Sequence, residues 1–418
     1  MRPSLKTPAH TTGLLAELVC SNSFKSLSVS SPTGRLKADL SLMDSLIMRE
    51  ALNCSVPAGK ALAVDRIKLG EAVTAAIEGE VNINLVRKEA RGVPEGYDSV
   101  ILATGPLTSA SMAASIEKLI GGDQLYFYDA IAPIVEAGSI DMNIAFVQDR
   151  YGQEGRGDYL NLPMNREEYE LFVKALIQAD AVEPAEFERK YYFEGCLPVE
   201  EIASRGADSL AFGPLKPVGL TDPATGLRPH AVVQLRKETK DGDSYNLVGF
   251  QTKLKYQEQR KVFTKTIPGL AEAKFLRFGS LHRNTYVNAP SCLNIDLSLV
   301  NSPDVRLAGQ ITGVEGYVES VATGLLAGLF TVGALLTNSP VDTPPPDTTL
   351  GALLYYITDK QREKDFQPSN INFSLFPPLK REIKNRKKRR SAILERAGTS
   401  CRKWVEDMED RLSNQSLA

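Results

Sequence analysis

The sequence predicts an α/β protein whose first domain is assembled from two separate pieces of chain. Three observations predict it. Short apolar runs bounded by turn residues alternate with stretches of helical spacing toward both ends of the 418-residue chain. Between them, residues 107–289 carry more aromatics, Pro-Gly turns such as Phe212-Gly213-Pro214 and Pro217-Val218-Gly219, and hairpin-like strand pairs, the texture of an inserted α+β domain. The apolar α/β pattern then resumes around Val305.

This gives a first part over 1–106, the insertion over 107–289, a second part over 290–338 and a C-terminal extension over 339–418. Strands are expected at Leu62–Val64, Val81–Val86, Ser99–Ala103, Ala231–Leu235 and Val305–Ala308. Helices are expected over Met43–Leu52 and over Ala110–Ile120, where Ser109 offers a cap and Gly121-Gly122 a stop. Val321–Leu336 is uncharged and apolar but carries three glycines and two threonines and is short for a bilayer span, so it reads as a buried helix. Pro340 to Pro346 breaks regular structure; a helix near Leu350–Ile357, a loop through Phe366–Pro378 and a charged tail follow.

With 43% apolar and 24% charged residues the chain can bury a large core. The net charge of −2 provides no whole-molecule field for nucleic acid, so an RNA surface must come from local clustering of Lys and Arg. Five widely spaced cysteines without a C-x-x-C pair argue against a disulfide framework and against a zinc site, and make a reducing cytoplasm the natural compartment. The N-terminus has neither the charged start nor the apolar run of a secretory signal or membrane anchor.

Three features carry chemistry. Ser99 to Pro106 reads as a buried strand ending in Ala103-Thr104-Gly105, where small residues let a dinucleotide approach the backbone. Val305 to Tyr317 runs from strand to helix through Gly309, Gln310, Gly313, Glu315 and Gly316; its unpaired N–H groups and positive dipole end suit a flavin ring or a phosphate. Cys20 and Cys196 lie in distinctive strings, Glu17 to Ser23 and Tyr192 to Glu200. A thiolate is soft, nucleophilic and a competent leaving group, which suits reversible addition to C6 of a uracil. Cys54, Cys292 and Cys401 read as inert packing thiols.

Ordered strings then match one family: Thr7-Pro8-Ala9-His10, Glu17 to Ser23, Ala61 to Arg66, Ala103 to Ser109, Tyr126 to Ala130, Phe193 to Pro198, Phe212 to Leu220, His282-Arg283-Asn284-Thr285 and Ala308 to Ser320. From Met1 to about Pro378 the chain resembles the TrmFO family of folate- and flavin-dependent tRNA (uracil-5-)-methyltransferases. The resemblance implies a Rossmann-like FAD-binding domain and methylation of C5 of the T-loop uridine of tRNA. It also implies methylenetetrahydrofolate as carbon donor, and FAD reduced by NAD(P)H. It matches Cys196 to the cysteine that adds to uracil C6, and Cys20 to a second cysteine near the flavin that acts as base or guards the intermediate. Glu315 and Gly316 would hold the flavin ring end.

The chain departs from the family in two places. The family's first strand, its Gly-x-Gly-x-x-Gly turn and its acidic ribose ligand would precede Met1, and no Gly-x-Gly-x-x-Gly occurs elsewhere. The FAD-binding domain is therefore expected to be N-terminally truncated by a late start codon, the competing reading being a shortened, flavin-free tRNA-binding relative. Second, Lys380 to Arg390 holds eight basic residues and one acidic, either a contact for RNA phosphates or a solvated helix. A related wobble-uridine flavoprotein of the GidA type is the other alternative; residues 341–418 are too few for that family's helical C-terminal domain.

Overall fold

Five helices in the first half of the chain begin where a short polar side chain can accept a backbone N–H. Ser31 caps α1 (Pro32–Leu42), Ser45 caps α2 (Leu46–Asn53) and Asp65 caps α3 (Arg66–Glu78). Ser109 caps α4 (Ala110–Ile120), which stops at Gly121 in the left-handed region as expected. Asn165 and Glu168 form a reciprocal capping box at the start of α5 (Arg166–Gln178). The computed structural model describes residues 9–121, 125–150, 157–182, 197–336 and 341–415, without the side chains of 125–130, 282, 283, 336 and 412–415.

The strands before α5 are β1 (Ser23–Ser26), β2 (Ser55–Val56), β3 (Ala61–Val64), β4 (Val100–Leu102), β5 (Leu125–Ile131), β6 (Ile134–Glu136), β7 (Phe146–Val147) and β8 (Tyr159–Met164). After it come α6 (Val199–Ser204), α7 (Ser209–Phe212), β9 (Ala231–Lys237), β10 (Ser244–Leu247), α8 (Tyr256–Thr266), β11 (Phe275–Arg277) and β12 (Ser280–Tyr286). The chain closes with α9 (Ala289–Cys292), β13 (Ser298–Leu299), β14 (Ser302–Leu307), α10 (Tyr317–Leu336), α11 (Thr349–Thr358) and α12 (Arg386–Gln415).

Among the named strands of the described residues, parallel pairing is confined to β4 and β14, with Val100 opposite Val305 and Leu102 opposite Leu307, while an isolated parallel bridge joins Val314 to Ser369. The β4–β14 pairing joins chain from before and after the middle region in one sheet, β13-β14-β4; a second small sheet has the order β1-β3-β2. The middle of the chain forms an antiparallel six-stranded sheet in the order β11-β6-β10-β9-β8-β7. The antiparallel pair β5 and β12 carries the chain into that region and back. Each region buries its own apolar core. The larger packs Leu36, Leu62, Ile116, Leu307, Leu326 and Leu353; the smaller packs Leu162, Phe172, Val233, Phe250 and Phe263. The expected α/β class is thus met.

Four local expectations change. Val81–Val86 alternates like a strand but makes no sheet contact, and Val81 is 93% exposed: period-two patterning without a partner edge leaves a chain in solvent. The helix expected from Met43 starts at Leu46, because Asp44 sits at φ +48° and Ser45 caps, while α1 precedes it with Pro32 in its first turn. α10 starts earlier than expected, at Tyr317, and is buried on one face only: Val318, Ala322, Leu326 and Phe330 enter the larger core while Val332 and Leu335 reach solvent. The charged tail is an ordered 30-residue helix. Ile393, Leu394, Ala397, Cys401, Trp404 and Val405 recur at helical spacing and pack into the larger core, a periodicity masked by the charges around it.

Trp404 also donates its indole N–H to the Asp342 carbonyl at 2.9 Å. Trp404→Ala is expected to cost about 3–5 kcal/mol of stability, read as a lower urea midpoint at unchanged slope. A midpoint equal to the parent's would mean that α12 does not contribute to the core.

Candidate functional site

Between Glu17 and β1 the chain runs through Leu18, Val19, Cys20, Ser21 and Asn22 without regular structure, and such a loop holds a shape only if its backbone groups find partners. Arg66, at the start of α3, donates Nη1–H to the Leu18 carbonyl at 3.0 Å while its Nε and Nη2 meet Glu238 at 2.8 and 2.6 Å. Arg277, the last residue of β11, donates to the Val19 carbonyl at 2.6 Å. Arg236, buried in β9, donates Nε–H to the Asn22 side chain at 2.9 Å, and Asn22 in turn donates to the Val64 and Lys237 carbonyls, each at 3.0 Å. Three arginines from distant segments therefore hold the loop on both sides of Cys20, two through the backbone before it and one through the Asn22 side chain after it.

The thiol itself faces the start of α10. The Cys20 N–H donates to Tyr317 Oη at 2.9 Å, and Cys20 Sγ lies 3.0 Å from the same oxygen. Burial pushes the Tyr317 phenol well above its ordinary value, so it keeps its proton and can offer that proton to the sulfur.

α10 is reached through the glycine-rich turn that follows β14. Gly313 and Gly316 have φ of +84° and +116°, and both are crowded. A Cβ at Gly313 would meet the Phe366 ring at 2.5 Å, and one at Gly316 would meet Glu319 Oε2 at 2.5 Å, so only glycine fits either position. The turn is held from outside by the C-terminal extension. Ser369 donates to the Gly313 carbonyl at 3.0 Å and accepts from Glu315 N at 2.8 Å, while Ile371 N donates to the buried Glu319 carboxylate at 3.2 Å. Within the turn, Gln310 donates to Glu315 Oε2 at 2.9 Å.

These parts enclose a cavity of about 280 Å³ between the two cores. One wall is Cys20, Lys25, Gln310, Glu315, Gly316 and Tyr317; the facing wall is Arg236, Asn246, Val248, Gly249 and Gln251 from the six-stranded region, and Pro106, Asn284 and Asn370 also line it. Asn246 and Asn284 are buried, and among the described residues neither carboxamide NH₂ has a hydrogen-bond acceptor. Two orphaned donors beside a cavity fit a ligand that brings carbonyl acceptors.

Of the residues singled out from sequence, the structure brings Cys20, Gln310, Glu315 and Gly316 to this cavity. Gly309 and Gly313 stand behind the wall, in the turn. Ala103, Thr104 and Gly105 follow β4, immediately before the lining residue Pro106; the Thr104 hydroxyl pairs with Thr108 at 2.7 Å, and a Cβ at Gly105 would enter open space. Cys196 lies outside the described residues. Cys54, Cys292 and Cys401 do not line the cavity, and burial raises all three thiols, Cys292 to about 12. Among the described residues no group of His, Cys, Asp and Glu side chains could hold a metal ion. Sequence reasoning missed Tyr317 and the three arginines. The one available signal was Arg236, a charge directly after the strand-like run Ala231–Leu235.

Tyr317→Phe removes the hydroxyl shared by the Cys20 N–H and thiol. Reaction of Cys20 with iodoacetamide, followed on its own peptide by mass spectrometry, is then expected to need a higher pH, because the thiolate loses a donor. An unshifted profile would show that the phenol does not tune this sulfur.

Comparison with known proteins agrees with this arrangement. The family model described as glucose inhibited division protein A matches residues 4–339. A relative from Moorella thermoacetica named methylenetetrahydrofolate–tRNA-(uracil-5-)-methyltransferase TrmFO is 52% identical over 397 residues, 95% of this chain and 90% of its own. One of the same name from Natranaerobius thermophilus is 54% identical over 383 residues, 92% and 87% of the two chains. A solved structure of Aquifex aeolicus GidA superposes with a TM-score of 0.64 over 96% of this chain and 70% of that one, at 12% identity, a likeness of fold alone. At half the residues identical along nearly the whole of both chains, the protein belongs to the TrmFO family.

Proposed function

We propose that this protein methylates C5 of the T-loop uridine of tRNA in the cytoplasm, taking the carbon from methylenetetrahydrofolate and the electrons from FAD that NAD(P)H has reduced. The observation that carries the reading is the cavity that joins the Cys20 thiol to the Gln310–Gly316 turn, in a chain half identical to enzymes named for this reaction. The GidA-type alternative is not favoured, since that likeness is of fold at 12% identity.

The site fits a flavin ring. The first turn of α10 and the backbone of Gly316 would offer N–H groups and a positive dipole end. The Gly309 N–H is already taken by the Thr323 hydroxyl at 2.9 Å, but beyond its chain neighbours the nearest atom to a Cβ there would be Ser320 Cβ at 3.9 Å, which leaves room for a ligand beside that backbone. Ala103, Thr104 and Gly105 would border the same cofactor, while Gln310, Glu315 and Gly313 fix the turn that holds it. Bound FAD supplies two electrons that complete the methyl group.

The protein's own chemistry is thiol chemistry. The Cys196 thiolate adds to C6 of the uracil, and the displaced electron pair moves through C5 to O4, which makes C5 nucleophilic toward the one-carbon unit. A base then removes the C5 proton as the bond between the one-carbon unit and its carrier nitrogen breaks, which leaves an exocyclic methylene on C5 and the released pair on the carrier. A hydride equivalent, the two electrons that bound FAD would supply, converts that methylene to methyl, and the C5–C6 double bond re-forms as the thiolate leaves. Cys20 lines the cavity beside Tyr317, which supports a role for this thiol as the base that takes that proton or as a guard of the intermediate. The Asn246 and Asn284 carboxamides offer donors to the uracil carbonyls. The described chain flanking Cys196 supports its role: the Val199 N–H donates to the carbonyl of Gln251, a cavity-lining residue, at 2.6 Å.

The test is methyl incorporation into a tRNA transcript with methylenetetrahydrofolate, FAD and NADH or NADPH. Cys196→Ala is expected to abolish transfer while leaving bound flavin and the fold intact, because a small thiol is a modest packing loss and an irreplaceable nucleophile. Cys54→Ala and Cys292→Ala should retain activity near the parent's. Full activity of Cys196→Ala would overturn the mechanism, and a colourless protein unable to take up FAD would favour a flavin-free tRNA-binding role.

A further inference from the structure

The basic run before and within the start of α12 is unexplained by folding. Lys380, Arg381, Lys384 and Arg386 to Arg390 are all exposed, and no ion pair among the described residues uses any of them. Of 49 basic and 51 acidic residues in the chain, this run takes eight and one, leaving 41 against 50 elsewhere. Five of the cations occupy consecutive positions at the N-terminal end of a 30-residue helix that has no acidic residue in its first turn. The helix dipole repels cations there, at about 0.3–1 kcal/mol each in the first turn. The arrangement thus opposes the stability of its own helix and suits an external polyanion.

Its position in the molecule identifies the polyanion. The Arg390 guanidinium stacks over the Phe373 ring at 4.6 Å. Phe373 is three residues from Asn370, which lines the cavity, and three residues span at most about 11 Å. The same short segment that clamps the glycine turn therefore carries the root of the basic surface. The apolar face of α12 is spent on the larger core, so the exposed basic end offers nothing to insert into a bilayer.

Resting on the tRNA reading above, we propose that Lys380 to Arg390 is the phosphate-docking surface that seats tRNA beside the cavity. It contributes affinity through counterion release, and its lack of aromatic residues leaves base recognition to the cavity. The test compares full-length protein with a variant carrying R386Q, K387Q, K388Q and R389Q, in tRNA-transcript binding across a salt series and in methylation.

The expected result is a slope of log affinity against log salt that is smaller by about 3, at about 0.7–0.9 per lost phosphate contact, and a KM for tRNA raised at least about tenfold. Melting should occur at or above the parent's temperature, since cations leave a helix N-terminus. A control with Lys88, Arg91, Lys118 and Lys174 changed to Gln should keep the parent slope. An unchanged slope in the α12 variant, or an equal fall in the control, overturns the proposal while the function stands if the parent methylates tRNA. Binding to phosphatidylglycerol vesicles that the variant loses, with tRNA binding intact, overturns it in favour of a lipid surface. A parent that neither binds nor methylates the transcript removes the tRNA reading and this proposal together.

Discussion

The site depends on one constraint: a buried arginine must be paired. Arg66, Arg236 and Arg277 come from three segments far apart in sequence, and each meets its need for acceptors partly on the loop from Leu18 to Asn22. Arg66 adds an ion pair with Glu238 in which both side chains are largely removed from water. Removing one partner of such a pair strands a charge at a cost of about 3–5 kcal/mol, far more than the pair gains over an apolar contact. The network is therefore better understood as a device for position than for stability. It sets the Cys20 backbone between two cores that otherwise share few apolar contacts, and so sets where the thiol meets Tyr317.

The second organising element is the C-terminal extension. The segment around Ser369 pairs with the glycine turn much as a strand would, Phe366 fills the space that the missing Gly313 side chain leaves, and Ile371 supplies the N–H that the buried Glu319 carboxylate needs. α11 and α12 anchor that segment by packing into the larger core, with the Asp39 carboxylate accepting from Thr349 at 2.6 Å and pairing with Arg35 at 2.8 Å. Burial raises the Asp39 carboxyl above its usual range, and the hydroxyl and the guanidinium oppose that rise. Geometry at the cavity is thereby tied to helices well outside it.

The cavity walls come from different regions with different physics. One wall includes the bare backbone of Gly316 at the end of the glycine-rich turn, which suits a flat ring approaching closely. The facing wall presents the fixed polar groups of Arg236 and Asn246 on strands of a six-stranded sheet, and rigid strands place polar groups more reproducibly than loops do. A reaction that joins a carbon donor, a reductant and a nucleobase needs both kinds of surface within one small volume.

The sequence alone determined whatever depends on neighbours in the chain. Ser109 and Gly121 bound α4 as read, the Gly309–Gly316 turn was legible from its composition, and ordered strings sufficed for the family. Tertiary structure decided everything that needs a partner from elsewhere. Val81–Val86 has the pattern of a strand and no edge to pair with; α12 hid an apolar face among charges until a core existed to receive it. Cys20 and Tyr317 are 297 positions apart, and Arg66 and Glu238 are 172 apart. Periodicity and capping are local, whereas the pairing of buried charges and the closing of a cavity are settled only when distant segments are packed together.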